Sequence, residues 1–137
     1  MDALLPLLQR THAIYGREVL ALIIVAAAIY LSVTYKPEAA PGAVARIFPV
    51  LVDIQVGMGI LYWIYLLFAS PIRDYYLSFP FILHPILGIV AAGLAHMAVG
   101  KNNPLRGLGR WAPMASLAVL LILVLSNVAV VMVARTS

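Results

Sequence analysis

Apolar residues run along this chain in four long blocks, separated by short clusters of proline, glycine and charge. The blocks cover approximately 14–35, 46–70, 79–100 and 113–134. Each is close to the ~20 residues that a helix needs to cross the ~30 Å hydrocarbon layer of a bilayer. The pattern predicts an all-α membrane protein, a bundle of four transmembrane helices forming one domain over 1–137. The connections are legible from their breakers: prolines and glycine over 36–42, a polar and aromatic link over 71–76, and a basic loop over 101–110. Tyr30, Tyr35 and Lys36 read as anchors at one interface, and Pro113 suits a first helical turn. Before the first block, Leu4, Leu5, Leu7 and Leu8 surround Pro6 and read as an interfacial lead-in, too short to span. Asp2 stands where a signal peptide would carry positive charge.

Composition sharpens this picture. Of 137 residues, 64% are hydrophobic and 10% charged, far from the balance of a soluble domain. The net charge of +4 does not point to nucleic acid, because the basic residues stand singly between apolar runs and suit lipid headgroups better. With no cysteine, the chain has no disulfide, iron–sulfur cluster, thiolate zinc site or covalently attached haem. Four spans place both termini on one side, with Arg10, Arg17, Arg73 and Arg135. Lys36, Arg46, Lys101, Arg106 and Arg110 stand on the other, which tilts the first and third loops towards the cytoplasm.

The candidate chemistry lies in the polar residues inside the blocks, since titratable groups in hydrocarbon are costly and mark function. Counting helical rise places His84 ~8 Å inside the terminal face, in a layer with His12 and Asn127. Asp53 and His96, ~10 Å and ~6 Å from the opposite face, share a second layer with Gln55 and are candidates to pair. His84 and His96 are twelve positions apart, so their rings point roughly 120° apart and serve different neighbours. Three histidines are too few for two bis-histidine haems, so the chain carries one haem at most. The face of His84 continues through Gly88, Ala91, Ala92 and Ala95, a stripe that admits a flat macrocycle or simply a close helix. Asn127 has two readings as well, a hydrogen bond to a bound group or a tie between helices. His96 reads as a structural or proton-active partner of Asp53, with axial ligation as the alternative. Gly57, Gly59, Met58 and Met97 read as packing, the methionines with soft ligation as their alternative.

Thr11-His12 with Arg17, the stretch Asp53-Ile54-Gln55-Val56-Gly57-Met58-Gly59-Ile60-Leu61-Tyr62, and His84-Pro85 followed by Ala91, Ala92 and Ala95 together form a pattern. It resembles a family of small bacterial four-helix membrane proteins labelled cytochrome b-like. Leu83 stands where that family has an acidic residue before the third-helix histidine. The resemblance implies a haem b between helices one and three with His12 and His84 as its axial, metal-binding pair, in the bacterial inner membrane. It also implies electron transport with quinone or another membrane subunit as partner.

Two other classes compete with this expectation. One is a non-catalytic small subunit or assembly factor of a larger membrane complex, or a homo-oligomer, whose polar residues bind neighbouring helices. The other is a small proton-coupled transporter, for which Asp53 is the candidate site and Glu18 lies too shallow. No convergent Ser/His/Asp set or phosphate-binding loop suggests a hydrolase.

Overall fold

The computed structural model describes residues 4–36, 38–79, 81–100 and 102–134, so expectations for Asp2, Pro37, Lys101 and Arg135 lie outside the described residues. Regular structure among them is entirely helical. α1 (Leu4–Ile14) runs through a π-helical turn, Tyr15–Val19, into α2 (Leu20–Thr34). α3 (Ala43–Ala69) is followed by the short α4 (Arg73–Leu77), then α5 (Leu83–Val99). A 3-10 segment, Arg106–Trp111, leads into α6 (Ala112–Ala134). The positive φ of 57° at Gly109 lets the chain turn into that last helix.

Three rods, Leu5–Thr34, Ala43–Ala69 and Arg106–Val133, are long and apolar enough to cross a membrane. α5 is equally apolar but has 17 residues, or ~26 Å, at the lower end of what a span requires. The helix is therefore shorter than the third apolar block, because Phe79, Phe81 and Ile82 precede it and Gly100 follows it. The expected lead-in is also different: residues from Leu4 onward are helical and continuous with the first span. Pro6 stands in the first turn, where its missing N–H has no partner to lose, and Arg10 points outward.

Packing follows the small residues. α6 lies between α2 and α5, and α5 also packs on α3. Leu20, Ile24, Ala27 and Leu31 bury one face of α2 against Leu117, Leu120 and Val124 of α6. Ala91, Ala95 and Ala98 bury the matching face of α5. Their small side chains permit close approach, which is how helices associate where lipid removes the hydrophobic drive between them. Pro49 is buried within α3, where it offers no N–H to the carbonyl of Ala45.

One buried polar group organises the far end. Asn103 is 2% exposed; its amide donates to the Ala98 carbonyl at 2.8 Å. Its oxygen accepts from the Leu105 N–H at 2.8 Å and the Ser116 hydroxyl at 3.1 Å. That side chain ties the third loop to α5 and α6, and both of its polar atoms are used.

Candidate functional site

His12 occupies the last turn of α1, immediately before the π-helical turn, and His84 opens α5. Their ring centroids are 6.0 Å apart and their planes almost perpendicular, at 89°. Wide π turns within α-helices recur at functional sites because they displace backbone groups from the regular ladder. Here the Gln55 amide of α3 donates to the His12 carbonyl at 2.9 Å. Gly16, buried one turn later, makes that contact possible, since a Cβ there would collide with the Gln55 amide. Gly59 seats the imidazole itself: a Cβ on Gly59 would lie 2.5 Å from His12 Cε1.

His84 is held by α6. The Asn127 amide donates to the His84 carbonyl at 3.2 Å, and the His84 Nδ1 approaches the Asn127 backbone carbonyl at 3.4 Å. A carbonyl can only accept, so this contact favours the tautomer with the proton on Nδ1 and the lone pair on Nε2. That is the arrangement found for metal-ligating histidines, whose second nitrogen donates to a carbonyl or carboxylate.

The two rings stand at the junction of two cavities. A chamber of about 60 Å³ is lined by Val52, Gly88, Ala91, Val124 and Asn127 as well as both histidines. A larger one of about 420 Å³ opens past Trp63, Tyr76, Phe81, Gln9 and Arg17. His12, Gly16, Gln55, Gly59 and His84 belong to the walls of both. The larger volume falls within the range of small-molecule and cofactor pockets, ~300–1,000 Å³. In its wall the Trp63 indole donates to the Tyr76 carbonyl at 3.0 Å, and the Phe81 ring packs on Tyr75 at a tilt of 48°, centres 4.3 Å apart. Arg17, also in that wall, lies 2.6 Å from Glu18.

Among the described residues, three buried polar atoms in this region lack a hydrogen-bond partner: His12 Nδ1, Gln55 Oε1 and Asn127 Oδ1. All three residues line the smaller chamber. Buried polar groups are otherwise almost always satisfied, so these atoms have capacity for a further polar partner, water included. Two imidazoles at this separation leave room for a shared metal, given nitrogen–metal bonds of ~2 Å and a nitrogen ~1 Å from each ring centre. Among the described residues no group of three or more metal-ligating side chains gathers. What faces the two cavities is a pair of imidazoles, the donor set that a haem would take from the chain.

The residues picked out by sequence are thus distributed as follows. His12, His84 and Asn127 meet at one site, with Gly88 and Ala91 in the wall of its inner chamber. Asp53 and His96 meet at another, His96 Nε2 lying 2.9 Å from Asp53 Oδ2. Gln55 does not join that pair, as its sequence grouping suggested, but belongs with His12. Two positions separate it from Asp53, which turns it ~200° to the inner face of α3. Gly16 and Gly59 were not singled out as seats for the site; only the approach of Gln55 and His12 reveals them. Comparisons with protein-family models, with characterised proteins and with solved structures find no match.

Proposed function

We propose that this chain is a b-type cytochrome-like electron-transfer protein or subunit that binds one haem between its first and third membrane-crossing helices. In this reading α1–α2, α3, α5 and α6 form four spans, set in a bacterial inner membrane. The single observation that carries it is the facing pair His12 and His84, 6.0 Å apart beside a cavity of about 420 Å³.

A bound haem supplies one-electron chemistry, and two neutral imidazole ligands leave it no open coordination position. The chain's part is to hold and orient. The carbonyl of Asn127 keeps the proton of His84 on Nδ1, so that Nε2 presents its lone pair. Gly59 and Gln55 fix His12, one by leaving space for the ring and the other by gripping its carbonyl. Trp63, Tyr76 and Phe81 offer aromatic surface to a macrocycle in the larger cavity, and Arg17, paired with Glu18, stands in the same wall. Quinone or a neighbouring membrane subunit is the natural electron partner of a protein confined to the bilayer.

The test is an absorption spectrum of detergent-purified protein, with and without dithionite, beside His84→Ala. The expected result is a Soret band that sharpens and shifts on reduction and is absent from the variant. A colourless wild-type protein that takes up no added haem would overturn the reading and favour an accessory subunit.

A further inference from the structure

The Asp53–His96 pair takes no part in the site above. It lies on the outer surface, bridging α3 and α5, with side chains 44% and 56% exposed. α3 has 27 residues, or ~40 Å, and exceeds a ~30 Å hydrocarbon layer by ~5 Å at each end. Asp53 is ten residues from the start of α3, ~15 Å along its axis, and therefore ~10 Å inside hydrocarbon. An acid and an imidazole facing lipid at that depth are costly. The neighbouring surface is equally uncovered. Gly57, one turn from Asp53, and Gly93, one turn from His96, have nothing within 4 Å of where a Cβ would stand.

We infer that this α3–α5 face is the interface between two copies of the chain. The occupant follows from charge. Each copy presents one acid and one base side by side, and a twofold axis brings that arrangement against itself in reverse order, as an isologous contact requires. With the axis along the membrane normal, both pairs lie at the same depth. The bond within one copy uses Nε2 and Oδ2. His96 Nδ1 and Asp53 Oδ1 remain to reach the partner's Asp53 and the partner's His96, closing a ring of four groups. Gly57 and Gly93 let the backbones approach as such a ring demands. The interface is independent of whether a haem is bound.

The chain has no cysteine, so single cysteines report contacts cleanly. Ile64→Cys places one ~20° from Asp53 on the exposed stripe of α3, and Leu22→Cys places a control on the outer face of α2. Oxidative cross-linking in native membranes is expected to give a dimer at Ile64→Cys with at least ten times the yield at Leu22→Cys. Native mass spectrometry of the wild type is expected to show a dimer of this chain. Equal yields, or only lipid-bearing monomer or a complex with a different protein, would overturn the inference.

Asp53→Ala and His96→Ala, each in the Ile64→Cys background, separate bonding within a copy from bonding between copies. Neither variant retains its internal pair, but a mixed dimer regains one contact across the interface. Mixed cross-links several times more abundant than either homodimer support the four-group ring. No preference for the mixed dimer would refute it.

Discussion

Two buried polar clusters at opposite ends of the molecule have opposite hydrogen-bond accounts. Asn103 uses its amide and its oxygen on Ala98, Leu105 and Ser116. The cluster of His12, Gln55 and Asn127 leaves one polar atom of each residue without a partner among the described residues. Both clusters hold helices together, and the difference lies in what is left over. A satisfied network is complete as a brace, whereas an unsatisfied one beside a cavity has capacity for a ligand. The contrast also separates two asparagines that composition alone makes equivalent.

The strongest way to break the comparison is to remove both imidazoles. His12→Ala with His84→Ala is expected to weaken haem binding at least ~100-fold, or about 3 kcal/mol, while the apo protein keeps its helix content. Spectroscopic titration with haem, beside circular dichroism, checks this. The converse variant attacks the brace. Asn103→Ala strands the Ser116 hydroxyl and the Ala98 carbonyl, at about 2–3 kcal/mol of stability. Thermal melting in detergent should show that loss, with the spectrum of any bound pigment unchanged.

Smaller changes sharpen the boundary. Gly59→Ala forces the His12 ring to move and is expected to weaken haem about tenfold, or ~1.4 kcal/mol. Gly107→Ala, whose added Cβ meets nothing within 4 Å, should leave the same titration unaltered. Gln55→Leu removes one interhelical hydrogen bond, worth about 1 kcal/mol in a membrane protein. Its melting temperature should fall slightly in the apo form and further with haem added, since Gln55 also holds His12 in place and a weaker ligand adds less apparent stability to the folded state.

The apolar blocks were legible because spans announce themselves by length and hydropathy, and proline and glycine punctuate them. The shared depth of His12, His84 and Asn127 followed from counting rise, and so did that of Asp53 and His96. Rotation about the axis was less accessible. Gln55 and Asp53 stand within ~3 Å of the same depth, yet they face opposite ways, so grouping by layer alone joined residues that never meet. Asn103 was invisible for another reason: in a loop of Asn, Pro and Gly, nothing local distinguishes a buried brace from a solvated turn. The early start of α1 was hidden by Pro6, whose helix-breaking reputation does not apply to a first turn.

The wide turn at Tyr15–Val19 divides one rod into two parts with separate duties: α1 meets α3, while α2 meets α6. A π turn takes up one residue more than an α turn, so straightening it with every residue kept would swing His12 by ~100°, a quarter of a circle or more, relative to α2. The wide turn thus sets the aim of the imidazole independently of the seam below it. Substitutions along Leu20, Ile24, Ala27 and Leu31 can retune the grip on α6 without re-pointing the ring. Straightening the turn with all its residues kept, by contrast, would spare the apolar pattern entirely and still leave His84 without its opposite number.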